Sequence, residues 1–78
     1  MDQSLQNRIT VNPDICHGKP TIRNTRMMVE SLLEYLAAGD TIEDILAEFP
    51  NLEREDILAA IAYANRILQF KNISFKVA

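Results

Sequence analysis

The sequence predicts a small, mainly helical domain: a short N-terminal β element, then three helices, with a candidate strand at the C-terminus. Three observations point there. The hydrophobic period lengthens from two residues to about 3.6 at Met27. Residues that end and start helices then recur at suitable intervals, as Gly39, Thr41 and Pro50. Finally, 78 residues suit one domain, divided into a β-arm over 8–26, a three-helix core over 27–69 and a tail over 70–78.

Arg8-Ile9-Thr10-Val11 alternates as a short strand with Ile9 and Val11 on one face. Asn12-Pro13-Asp14 signals a turn, since proline presets φ and its polar neighbours favour bends. Residues 15–19 read as irregular, with Gly18 supplying backbone freedom and Pro20 opposing a helix. Thr21-Ile22-Arg23 reads as a second short strand, followed by a bend at Asn24-Thr25.

The first helix begins near Met27, with Val29, Leu32, Leu33 and Leu36 as its apolar stripe and Gly39 as the residue that ends it. Thr41 opens the second, with Asp44 three residues on in an approximate capping box. Ile42, Ile45, Leu46 and Phe49 supply its core face, and Pro50 stops it. The third runs from Glu53 or Arg54 to about Gln69, with Ile57, Leu58, Ile61, Ala64, Asn65 and Leu68 as its stripe. A short second helix, a tight turn and a longer third helix make the outline of a helix-turn-helix. Residues 73–77 alternate as a strand through Ile73, Phe75 and Val77, free to pair with Arg8–Val11 or with another chain's sheet edge.

Composition sets limits on function. The chain is 47% hydrophobic and 24% charged, too apolar for a disordered tail. A domain this short rarely gains more than ~3–5 kcal/mol from one core, so a partner or a homo-oligomer is expected. One cysteine suits a reducing cytoplasm, and the polar N-terminus lacks the pattern of a signal peptide. No apolar run approaches the ~20 residues of a membrane span.

The net charge of −3 opposes a purely electrostatic nucleic-acid binder, but its layout is uneven. Residues 1–26 carry four bases against two acids, residues 27–60 one base against nine acids, and residues 61–78 three bases and no acid. Arg8, Lys19, Arg23 and Arg26 form a basic arm that could follow phosphates or meet an acidic protein. Arg23 and Arg26 could equally pair with the chain's own acidic helices. The third helix opens with Glu53-Arg54-Glu55-Asp56, where acids offset the helix dipole. Only Arg54 there is typed for DNA, with Arg66 further along.

Motifs for chemistry are absent. Cys16-His17 cannot supply the four ligands of a structural zinc site and reads as loop packing. Gly18-Lys19-Pro20-Thr21 lacks the upstream glycine and following helix of a phosphate loop. The sequence nominates no catalytic residue, no metal site and no cofactor, so an enzyme is not expected.

Several words in order carry a family resemblance: Gly18-Lys19-Pro20-Thr21-Ile22-Arg23-Asn24-Thr25-Arg26, Leu36-Ala37-Ala38-Gly39, Ile45-Leu46 with Pro50-Asn51-Leu52, and Ala59-Ala60-Ile61-Ala62-Tyr63-Ala64. Over about residues 8–68 the chain resembles the bacterial family called domain of unknown function 433. The resemblance implies a homeodomain-like or winged-helix-like three-helix fold preceded by a small β element. It also implies a VapB-like antitoxin that binds and silences a PIN-like nuclease toxin and represses its own operon. Asn24 stands where that family usually has glycine, Met27-Met28 where it has Ile-Pro or Val-Pro, and Glu53 where it has a Thr or Ser cap.

The leading expectation is therefore a non-enzymatic, cytoplasmic antitoxin-like module. Arg8, Lys19, Arg23, Arg26, Arg54 and Arg66 are its candidate partner or nucleic-acid contacts, and Ile73, Phe75 and Val77 its candidate interface. A stand-alone DNA-binding regulator and a structural homo-oligomer are the alternatives.

Overall fold

A computed structural model describes residues 3–70. The candidate strand with Ile73, Phe75 and Val77 lies outside the described residues. One turn of helix, α1 (Gln3–Gln6), precedes strands β1 (Ile9–Thr10) and β2 (Thr21–Ile22). Helices α2 (Val29–Ala37), α3 (Ile42–Glu48) and α4 (Arg54–Phe70) follow. The molecule is thus mainly helical, three helices on a two-stranded antiparallel sheet, as the periodicity predicts. The α1 turn has no apolar stripe to announce it.

The strands are shorter than their sequence patterns. Ile9 pairs with Ile22 and Thr10 with Thr21. One further bond, from the Arg23 amide to the Arg8 carbonyl at 2.9 Å, sets these two arginines side by side. Arg23 does not continue the strand, because the bend begins one residue earlier than its Asn24-Thr25 signal. Arg23 and Asn24 both take left-handed φ, +47° and +57°, and the Thr25 amide closes the turn on the Ile22 carbonyl at 2.8 Å. Two left-handed central residues are the signature of a type I′ turn, whose twist matches that of paired strands. After the turn the chain returns along β2. Thr21 bridges to Met28, and the Ile22 amide donates to the Met27 carbonyl at 2.9 Å.

That return explains why the first helix starts at Val29 rather than Met27. Met27 and Met28 commit their backbone to β2, and Met28 remains extended with ψ 145° as the residue before the helix. At the other end Gly39 adopts φ +104°. The Gly39 amide donates to the Leu36 carbonyl and the Asp40 amide to the Tyr35 carbonyl, both at 3.1 Å, which is a Schellman closure. The capping box on α3 forms as its spacing predicts. The Asp44 amide donates to Thr41 Oγ1 at 3.1 Å and the Thr41 amide to Asp44 Oδ2 at 2.9 Å.

Ile22, Val29, Leu32, Ile45, Ile57 and Ala60 make the core, with Leu36, Phe49 and Tyr63 among the half-buried residues around it. Tyr35 stacks on Phe49 with ring centroids 5.6 Å apart, joining α2 to the end of α3. The predicted stripe of α4 needs correction. Leu58, Ile61, Asn65 and Leu68 are exposed, whereas Asp56, Ala59 and Ala60 are buried beside Ile57. Small alanines let α4 approach closely, and the helix is turned so that Asp56 faces inward. Among the described residues no helix is long and apolar enough to cross a membrane.

Candidate functional site

The inward turn of α4 buries a charged side chain beside its apolar ones. Asp56 is the third residue of the helix, and its side chain has no exposed surface. Its Oδ1 accepts from Arg8 Nη1 at 3.0 Å and from Arg23 Nε at 3.1 Å. Its Oδ2 accepts from Arg23 Nη2 at 2.9 Å and from the Glu53 amide at 2.8 Å. Arg23 therefore grips the carboxylate with a two-pronged fork, and the same Nη2 reaches the Asn51 carbonyl at 2.9 Å. Arg8 spans two acids, with Glu53 Oε1 2.6 Å from its Nη1.

Burial pushes the Asp56 carboxyl up; the Glu53 amide, Arg23 and Arg8 outweigh that and hold it below the ordinary range. The Arg8 guanidinium is raised, first by Glu53 and then by Asp56. Two arginines side by side on a β ladder would repel. Here one buried carboxylate lies between them and ties the β-arm to the start of α4. The same carboxylate accepts from the Glu53 amide, the half of a capping box that runs from the third helical residue back to the cap. Among the described residues no buried side-chain polar atom lacks a partner.

The other candidate contacts fall into two groups. Lys19 Nζ lies 2.8 Å from Glu30 Oε1, and Arg54 Nη1 lies 3.0 Å from Glu43 Oε1. Lys19 is raised by Glu30, and the Glu43 carboxyl is lowered by its own amide and then by Arg54. These are surface pairs between exposed side chains. Arg26 and Arg66 make no ion pair among the described residues. The structure thus brings Arg8 and Arg23 together on Asp56, and keeps Lys19, Arg26, Arg54 and Arg66 apart.

Cys16 and His17 occupy a tight loop with φ of +50° and +57°, and Cys16 Sγ reaches the Arg26 carbonyl at 3.7 Å. The thiol helps hold the loop to the segment before α2, as a packing role predicts. A cleft of about 350 Å³ beside it is lined by Cys16, His17, Asp14 and Arg26. An apolar cleft of about 280 Å³ between α2 and α4 is walled by Val29, Leu33, Tyr63 and Ile67. Among the described residues no three His, Cys, Asp or Glu side chains group as a metal would need.

Asp56 is the feature that sequence reading missed. Acids in a first helical turn ordinarily face solvent and complement the dipole. The available signal was an aspartate three residues after Glu53, with Arg8 and Arg23 each next to a short strand. Only the strand register shows that the two arginines are adjacent.

A family model described as "Protein of unknown function (DUF433)" matches residues 9–64. The chain belongs to the DUF433 family. Arg23 and Asp56 both lie inside the matched span, and Arg8 borders it. The uncharacterized protein y4eO of Sinorhizobium fredii (strain NBRC 101917 / NGR234) is 39% identical over 56 residues. That match covers 72% of this chain but only 25% of y4eO, so the DUF433 chain spans about a quarter of its curated relative. The crystal structure of a DUF433 member protein from Anabaena variabilis ATCC 29413 superposes with a TM-score of 0.75 at 38% identity. The match covers 87% of this chain and 67% of that one.

Proposed function

We propose that this DUF433 chain is a non-enzymatic binding module of antitoxin type whose partner is a protein, a PIN-like nuclease. The carrying observation is the fate of the basic residues. Arg8, Lys19, Arg23 and Arg54 are each engaged by a carboxylate of the same chain. Positive charge neutralised internally is not available to phosphates, which is unfavourable for a binder whose affinity would come from the backbone. The start of α4 presents Glu53 and Glu55 to solvent, where a DNA-reading helix needs cationic or amide side chains. An apolar cleft beside α4 and an exposed Phe70 suit contact with another protein instead. The cytoplasm is the compartment that fits this reading, since a lone cysteine stays reduced there.

Co-expression with a small PIN-like nuclease from the same genome tests the proposal. The expected result is a stable complex and loss of RNA cleavage at a stoichiometric ratio. Repeated recovery of the chain from its native host without any small nuclease would count against it.

One observation favours a DNA-binding regulator as second reading. α3, a short turn and α4 follow in helix-turn-helix order, and Arg66 lies exposed on α4. Such a regulator would bind a specific duplex with steep salt dependence and weaken on Arg66→Ala. Weak binding indifferent to sequence would sink it.

A further inference from the structure

Helix α4 is longer than the core beneath it. Its 17 residues extend roughly 25 Å at the α-helical rise, yet the fully buried positions end at Ala60. Ile67 and Phe70 continue the side of the helix that carries Tyr63, three to four residues apart. They are 38% and 87% exposed. Ile67 walls the apolar cleft of about 280 Å³ with Val29, Leu33 and Tyr63. Phe70 joins Tyr63, Arg66 and Ile67 around a second cleft of about 270 Å³. Because the clefts share Tyr63 and Ile67, they form one apolar groove. The Lys19–Glu30 pair stands at its α2 end and Arg66 at its outer end.

We propose that this groove is a homodimer face, filled by the C-terminal half of α4 from a second copy of the chain. Knob and hole lie on the same surface: a protruding Phe70 beside a groove that Phe70 itself helps to wall. A two-fold rotation that sets the two α4 ends antiparallel gives each groove the other chain's Phe70, and the assembly closes. Charge favours that orientation. It carries Arg66 of one copy toward Glu30 of the other, and Glu30 uses only Oε1 for Lys19.

Sedimentation velocity of the full chain over a range of concentrations tests this. The wild type is expected at twice the chain mass, and Phe70→Asp at the monomer mass with unchanged far-UV circular dichroism. Glu30→Arg and Arg66→Glu are each expected to weaken the dimer at least tenfold, and the double exchange to restore it. A full chain that stays monomeric throughout overturns the proposal, including the case in which residues 71–78 occupy the groove themselves. A dimer indifferent to Phe70→Asp overturns it as well, and failure of the double exchange to recover overturns the antiparallel pairing. A monomer that still silences a nuclease would overturn this inference and leave the proposed function standing.

Discussion

Asp56 concentrates more interaction than any other side chain described. Removing it leaves Arg8 and Arg23 adjacent without their shared counter-charge, and because both are partly exposed the cost is expected at the lower end of the about 3–5 kcal/mol of a fully buried pair. Asp56→Ala is therefore expected to remove most of the stability of so small a domain, read as the midpoint of urea unfolding. Arg23→Lys keeps the charge but loses the fork. Since Arg23 is 40% exposed, the loss is expected near the lower end of about 1.5–3 kcal/mol. The same residue sets the acid response. Asp56 titrates below its unfolded value, so its contribution is full above about pH 4 and fades as pH falls through the lower folded value. Thermal melts of the wild type should fall steeply in that acid range, with a shallower fall for Asp56→Asn. Equal slopes would show that Asp56 is not the group responsible.

At the scale of elements, each helix is held by a different terminal device. α3 has only seven residues, too few to be stable alone, and depends on its Thr41–Asp44 box and on Ile45 in the core. Thr41→Ala is expected to cost about 1 kcal/mol, seen as an earlier melt. α2 ends on Gly39, whose φ of +104° any other residue would adopt only with strain. α4 lacks a hydroxyl cap and borrows the Asp56 carboxylate, so its start, the β-arm and the turn at Arg23 are expected to unfold as one unit. Ile57 follows Asp56 into the core, and Ile57→Ala is expected to cost about 2–5 kcal/mol. A chemical-denaturation curve on that variant checks the rotated face of α4, since the same change at exposed Ile61 should cost far less.

At the scale of the molecule, the uneven charge has a structural meaning. The basic arm and the acidic helices meet in the fold, and three ion pairs link residues 1–26 to the helical region through Glu53, Asp56 and Glu30. Arg23 adds another to Asp56. The exposed Lys19–Glu30 and Arg54–Glu43 pairs are screened by water and salt, so Lys19→Ala or Arg54→Ala should leave unfolding nearly unchanged at any ionic strength.

Much of this was legible in the chain itself. The three helices, the two strands, the capping box and the glycine stop follow from local chemistry, which acts over three or four residues. What misled was the face of α4: Leu58, Ile61 and Leu68 look like core at helical spacing, and Asp56 looks like surface. Hydrophobicity is a property of each residue, but which side of a helix turns inward depends on what is packed opposite. The composition and periodicity of these 78 residues determined a small, mainly helical domain and the ends of its helices. Only the tertiary structure decided that Arg8 and Arg23 close on Asp56 and that the end of α4 extends past the core. The physical reason is range: helix periods and caps are local, whereas a buried ion pair between residues 33 positions apart exists only once the strands and α4 have met.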